Sequence, residues 1–264
     1  MLFDCHCHLE SPLFDDDIEE VLQRASGNLL GVVCSAVEPK DFEKSLAMHD
    51  RMPNFLYVSL GLHPEYAGSI SAEDIERAIT FIKEKSENIV SIGEVGLDYY
   101  WCQDERTRQK QKEMFRRFVD LSMMLDKPLI VHIRRGKDKQ SNAYEDAFEI
   151  LQQGGAKKVL LHMFGYKKLL TRALENGWHV STNAIVESSK DYKKIVKAIP
   201  LDHLMLETDS PYLVPQMLKS RGVKRNEPLF IEQTAKKVAL IKETSFEKIC
   251  SQTTLNARKF FEIG

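Results

Sequence analysis

No stretch of this sequence is apolar for long enough to cross a bilayer. Its apolar runs, such as Gly31 to Ala36 and Val159 to Met163, fall far short of the roughly 20 residues a spanning helix needs. An excess of charge is also missing. Lys and Arg number 37 against 39 Asp and Glu, a net charge of −2, so the chain as a whole is not drawn to nucleic acid or to an anionic membrane. A polyanionic substrate would have to be attracted locally. A disulfide framework is absent too, because the five cysteines are odd in number and irregularly spaced, at Cys5, Cys7, Cys34, Cys102 and Cys250. There is no Gly/Ser linker, Pro-rich tract or repeat of fixed period to divide the chain. Met1 to Asp4 runs straight into a strand pattern, with no basic n-region or cleavage site. These absences predict a soluble, cytoplasmic protein with no membrane association.

What is present is a chain of 264 residues, 43% hydrophobic, long enough for one large barrel as a single domain over 1–264. Short apolar runs alternate with longer amphipathic stretches. Strands are predicted at Leu2–His6, Gly31–Ala36, Leu56–Leu62, Ile89–Glu94, Leu129–Ile133, Val159–Met163, His179–Thr182 and Leu204–Glu207. Helices are predicted at Asp16–Arg24, Pro39–Asp50, Ala72–Lys83, Glu105–Leu125, Ala143–Gln152, Lys167–Glu175, Ser188–Ala198 and Pro228–Ile241, with a closing helix at Phe246–Phe261. This alternation predicts an α/β fold, a (β/α)8 TIM barrel with an extra C-terminal helix. The runner-up is an open doubly wound sheet, but no Gly-rich dinucleotide turn follows the first strand.

In such a barrel the chemistry belongs at the C-terminal ends of the strands. The first strand ends in Asp4-Cys5-His6-Cys7-His8; the third leads to His63, the fourth to Glu94, the fifth to His132, the sixth to His162 and the eighth to Asp209. Strand alternation puts Asp4, His6 and His8 on one face and Cys5 and Cys7 on the other, toward the covering helices. The two cysteines read as small buried hydrophobes rather than a Cys-x-Cys zinc pair. Imidazole and carboxylate from five strand ends suit divalent metal, Zn, Mn, Fe or Mg. The set exceeds what one tetrahedral ion needs. Two ions about 3.5–4 Å apart use it better, with a bridging hydroxide as nucleophile. His6, His8 and Asp209 are assigned to one ion, His132 and His162 to the other, and Glu94 to both. Asp209 is also a candidate acceptor for the water proton, while Asp4 and Glu207 are placed as supports for a ligand.

These residues sit in motifs that resemble a known family. Asp-Cys-His-Cys-His at 4–8, Gly-Leu-His-Pro at 61–64, Gly-Glu-Val-Gly-Leu-Asp at 93–98, Val-His-Ile-Arg at 131–134, Leu-Glu-Thr-Asp-Ser-Pro-Tyr-Leu at 206–213 and Arg-Asn-Glu-Pro at 225–228 are similar, in order, to those of the TatD family of metal-dependent hydrolases. The resemblance covers nearly the whole chain. It implies an amidohydrolase-like barrel, the ligands His6, His8, Glu94, His132, His162 and Asp209, and deoxyribonuclease activity of exonuclease type. One departure is that the family's His-Cys-Phe-Ser-Gly reads His162-Met163-Phe164-Gly165-Tyr166 here, losing the serine hydroxyl.

On the substrate side, His63 is a candidate to contact a phosphate oxygen or protonate a leaving group. Two basic loops should open on the same face, Arg134-Arg135-Gly136-Lys137-Asp138-Lys139 and Lys219 to Arg225. Arg134, Arg135, Lys224 and Arg225 are candidates to neutralise phosphates, with Tyr212 beside them. Tyr99, Tyr100 and Trp101, after the fourth strand, are candidates to stack on bases or sugars but read chiefly as cover for the core. The resulting expectation is a two-metal deoxyribonuclease, a 3′–5′ exonuclease acting on DNA. The alternative is hydrolysis of another ester or amide, a lactone, an aminoacyl-tRNA ester or a phosphotriester, on the same site. No obligate protein partner is evident and a monomer is expected.

Overall fold

The computed structural model describes residues 1–137 and 142–264. Asp138 and Lys139 of the predicted basic loop therefore lie outside the described residues. Eight strands, β1 (Leu2–Cys7), β2 (Leu29–Ala36), β3 (Leu56–Leu60), β4 (Ser91–Asp98), β5 (Leu129–Arg134), β6 (Val159–Leu161), β7 (His179–Thr182) and β8 (Leu204–Leu206), form one parallel sheet in sequence order. The ends meet: Asp209 N–H donates to His6 O at 3.0 Å and His8 N–H to Ser210 O at 2.7 Å. The predicted barrel is therefore the observed fold, nearly closed. Among the described residues no helix is long and apolar enough to cross a membrane.

Ten α-helices are present among the described residues: α1 (Ile18–Ser26), α2 (Phe42–Arg51), α3 (Ala72–Glu84), α4 (Glu105–Leu125), α5 (Ala143–Gln153), α6 (Leu170–Glu175), α7 (Lys190–Ala198), α8 (Gln216–Lys219), α9 (Ile231–Lys242) and α10 (Phe246–Phe260). Local signals explain their ends. Ser71 caps α3 by accepting from Asp74 N–H at 3.0 Å. Asp104 does the same for α4 through Thr107 N–H at 2.8 Å, and α4 stops where Asp126 turns left-handed. The short α8 has no counterpart in the predicted elements; four residues carry no readable period.

α4 also fixes the catalytic end of the barrel. Its fully buried Gln111 accepts from Asp98 N–H at 3.0 Å and donates to Pro64 O at 2.9 Å, tying the ends of β3 and β4 together. Gly96 allows β4 and β5 to approach. A Cβ there would lie 2.0 Å from His132 O, so any side chain would push the two strands apart. A second apolar cluster fills the barrel floor: Phe3, Cys5, Val33, Ile130, Leu160 and Met205 come from strands on different sides of the sheet, and Phe260 and Phe261 of the C-terminal segment close it from below.

His179, at the start of β7, stacks on His203 at 5.4 Å and packs on Phe260 at 5.3 Å. Burial, with His203 beside it, pulls its pKa from the ordinary 6.5 down to about 4. The folded value lies below the unfolded one. The stability tied to this neutral ring is therefore complete above about pH 6.5 and drains away as pH falls toward 4. At 1.36 kcal/mol per pH unit the loss reaches at most about 3 kcal/mol. His179→Phe is expected to lessen the fall in denaturant-derived stability over that window, and an unchanged slope would move the acid sensitivity elsewhere.

Candidate metal centre

The alternation expected along β1 does not hold. The pairing of β1 with β2 slips between Asp4 and Cys7, and a slipped residue reverses the face of everything after it. Cys5 consequently joins the barrel-floor cluster, whereas Cys7 joins the core under the helices. Both are buried and free, which fits packing and not a zinc pair. Asp4 does not reach a ligand ring as anticipated. Its carboxyl accepts from Thr208 N–H at 2.9 Å, Thr208 Oγ at 2.5 Å and His6 N–H at 3.3 Å. It thus fastens the seam where β1 meets the chain after β8. Burial raises its pKa to about 8 against those hydrogen bonds.

The six predicted ligands converge. Glu94, on β4, lies in the middle. Its Oε2 is 3.3 Å from His6 Nε2 and 3.7 Å from His8 Nε2. Its Oε1 is 2.8 Å from His132 Nδ1 and 3.7 Å from His162 Nε2. Asp209 Oδ1 faces His6 at 3.6 Å, His8 at 3.4 Å and His162 at 4.0 Å. Ligand atoms lie within 4.8 Å of one another in the sets His6–His8–Glu94, His6–His162–Asp209 and Glu94–His132–His162, and a further set joins His63, Asp98 and His132. β6 and β8 end early, so His162 and Asp209 stand on the loops just beyond them. Asp209 is held left-handed at φ 56°, and Met163 beside His162 at φ 44°, an unfavourable backbone that persists only where its surroundings impose it.

The far side of each ring is held as well. His162 Nδ1 lies 2.9 Å from Glu207, whose carboxylate is itself held by Ser181 at 2.5 Å and Asn183 at 2.8 Å. His132 Nε2 lies 2.9 Å from Asp98, which also accepts from Tyr100 and Trp101 N–H. Ser35 presents its hydroxyl to His6 Nδ1 at 3.0 Å and its carbonyl to His8 Nδ1 at 2.9 Å, where Glu10 lies at 3.2 Å. Glu207 was anticipated; Asp98, Ser35 and Glu10 were not. Asp98 was within reach, since it lies four residues past Glu94 on one strand and so on the same face. Ser35 and Glu10 belong to no polar motif.

A carbonyl or carboxylate against Nδ1 puts the proton there and leaves the Nε2 lone pair of His8 and His162 facing carboxylate oxygens. Acceptor then meets acceptor unless positive charge lies between them. The electrostatics agree. Burial opposes charge on His162 and His132, yet the carboxylates of Glu207, Glu94 and Asp98 raise them to about 10 and about 9. Burial would likewise raise Glu94, but the imidazoles of His162 and His6 hold it well below the usual carboxylate range. No Lys or Arg among the described residues pairs with Glu94, Asp98, Glu207 or Asp209. Divalent cations meet that demand, and imidazole nitrogen with carboxylate oxygen is a donor set suited to them.

Above the hollow opens a cavity of about 850 Å³, lined by His8, His63, Glu94, His132, His162 and Asp209 and rimmed by Trp101, Arg134, Arg135, Tyr192 and Tyr212. His63 does two things. Its Nδ1 caps the turn at Pro64 by accepting from Glu65 N–H at 3.3 Å, and its Nε2 reaches to 3.8 Å from Glu94. Burial and the neighbouring His132 keep it neutral, with a pKa of about 3. Arg134 stacks on Tyr100 at 4.1 Å and Arg135 on Tyr166 at 5.2 Å. Trp101, read from sequence as core cover, is 61% exposed at the rim. Arg225 is placed elsewhere. It forks onto Asp17 at 2.6 Å, pairs with Glu227 and covers Phe14, which removes it from the predicted phosphate contacts. Lys224 does not line this cavity either; it faces a neighbouring one. Gly165 leaves room for Tyr192, whose hydroxyl would lie 2.6 Å from a Cβ there.

A nearly closed parallel barrel with a histidine–carboxylate hollow at the C-terminal mouth defines a metal-dependent hydrolase of the TIM-barrel type. Residues 3–262 match the family described as TatD related DNase, and the chain belongs to that family. It is similar over the whole of both chains, at 35% identity, to the uncharacterized metal-dependent hydrolase YabD of Bacillus subtilis. It is 33% identical to the human deoxyribonuclease TATDN3, with 98% of this chain and 94% of that one aligned. Among crystal structures it superposes on the TatD homolog YjjV of Escherichia coli with a TM-score of 0.87, at 22% identity and with 100% and 98% of the two chains covered. A TatD family hydrolase of Entamoeba histolytica follows at 0.83 and 21%, covering 98% and 97%. Those two likenesses concern the fold.

Glu207→Gln is expected to loosen His162 and lower metal affinity by roughly 10- to 100-fold. His162→Ala should lower the metal content per chain. Metal content by mass spectrometry checks both, and an unchanged stoichiometry in both variants would remove His162 from the ligands.

Proposed function

We propose that the protein is a two-metal deoxyribonuclease that removes nucleotides from a 3′ end. The observation that carries this reading is the division of Glu94, one carboxylate oxygen toward His6 and His8 and the other toward His132 and His162. Bound by those residues and Asp209, divalent cations supply a polarised phosphoryl oxygen and a water that ionises near neutral pH.

The chain's own residues supply the rest. Asp209, fixed by its backbone bond to His6, is the acceptor for the proton that the attacking water gives up. His63, with Nδ1 occupied, presents a neutral Nε2–H as a donor to a phosphoryl oxygen or to the leaving 3′ oxygen. Arg134 and Arg135, each with its guanidinium over an aromatic ring, offer cationic forks to the substrate backbone. Exposed Trp101 offers a stacking face to a base. The cavity volume of about 850 Å³ lies within the range of small-molecule sites, about 300–1,000 Å³. That supports a strand end, not a length of duplex, as the occupant.

The test is metal-loaded protein on single-stranded DNA labelled at either end, with and without chelator. Ordered shortening of 5′-labelled strands and early release of a 3′ label are expected, both abolished by chelator and by Glu94→Ala with the fold retained. Turnover of an ester or lactone without any cutting of DNA would overturn the reading. Neutralising Arg134 and Arg135 together should reduce the slope of log Kd for DNA against log salt by about one to two, and an unchanged slope would exclude them from the DNA path.

A further inference from the structure

The loops after β7 and β8 border a second, open cavity of about 780 Å³. It shares a wall with the first, because Ile185, Tyr212 and Leu213 line both. Tyr212 stands on that wall 55% exposed, its ring 6.0 Å from that of His8. The remaining lining joins apolar Leu13, Val214 and Val223 to basic Lys219 and Lys224. Neither lysine is ion-paired among the described residues. The acidic residue in the lining, Glu187, is engaged in accepting from Gln216 N–H at 2.6 Å. Apolar surface, an exposed aromatic ring and two uncommitted cations beside a hydrolytic centre form a combination that suits a nucleotide, whose base seeks stacking and whose phosphate seeks positive charge.

Placement around the barrel adds direction. Arg134 ends β5 and Arg135 follows it, whereas Lys219 and Lys224 follow β8, three strands further round the mouth. On a chain of net charge −2 these are two separate basic positions flanking one hollow. A single strand laid across the mouth would meet one group on each side of the scissile bond. We propose that the second cavity holds the nucleotide adjoining the scissile phosphodiester, its base against Tyr212, Leu13 and Val223 and its phosphate near Lys219 and Lys224. This inference rests on the DNA-hydrolase reading and sharpens it. The enzyme would grip at least two nucleotides, and short substrates would bind poorly.

The experiment fills or recharges the second cavity without touching the first. Val223→Trp and Lys219→Glu are made in the full chain and loaded with manganese. Each is measured on bis(p-nitrophenyl) phosphate, a diester small enough for the first cavity, and by fluorescence anisotropy with a labelled phosphorothioate (dT)4. Both variants are expected to bind (dT)4 about tenfold more weakly while hydrolysing the small diester at the wild-type rate. Unchanged (dT)4 binding in both would overturn the subsite, and so would an equal loss on both probes, which marks a general distortion. If the wild type hydrolyses neither the diester nor DNA but the variants still lose (dT)4 binding, the second cavity is a single-strand binding site, while the nuclease reading and the cavity's place beside a scissile bond both fall. If the wild type does not bind (dT)4, both fall.

Discussion

A single carboxylate buried among four imidazoles organises the centre of this protein. Glu94 is 3% exposed, and an uncompensated buried charge costs several kcal/mol even after its surroundings relax. His6, His8, His132 and His162 surround it at 2.8–3.7 Å. They come from three separate stretches of chain, so the compensation exists only when the barrel is assembled in strand order. The tie from Gln111 and the bare backbone at Gly96 are both means of bringing β3, β4 and β5 close enough for it. The seam at Asp4 and Thr208 does the same for β1 and the loop carrying Asp209.

Around that centre the polar residues work in two tiers. The inner ring nitrogens converge on a common hollow, and the outer ones are occupied by Ser35, Glu10, Asp98 and Glu207. The outer tier selects which nitrogen faces inward and fixes each ring's plane. It also adds negative charge, which raises the pKa values of His132 and His162 against their burial. Further out, positive charge returns on Arg134 and Arg135, held against Tyr100 and Tyr166. A chain with no overall attraction for a polyanion thus has a local one at its mouth.

Much of this is legible in the sequence. The alternation of short apolar runs and amphipathic stretches predicted the barrel, with α4 matching to the residue and β7 likewise. The clustering of His, Asp and Glu at predicted strand ends named the six residues that the fold brings together. The face of Cys5, the seam made by Asp4, the pairing of Arg225 with Asp17 and the exposure of Trp101 were not legible. Each depends on a neighbour distant in sequence. A one-residue slip against β2 parts Cys5 from Cys7, and Asp17 captures Arg225 from 208 residues away.

By itself, then, the sequence determined the fold class and the chemical character of the centre, because strand and helix periods and metal-capable side chains are local properties. Only the tertiary structure decided which oxygen of Glu94 faces which histidines, which groups hold the outer nitrogens, and which basic residues reach the cavity. Those are matters of register, rotamer and charge pairing between segments far apart in the chain. Side-chain identity carries none of that until the strands are laid side by side.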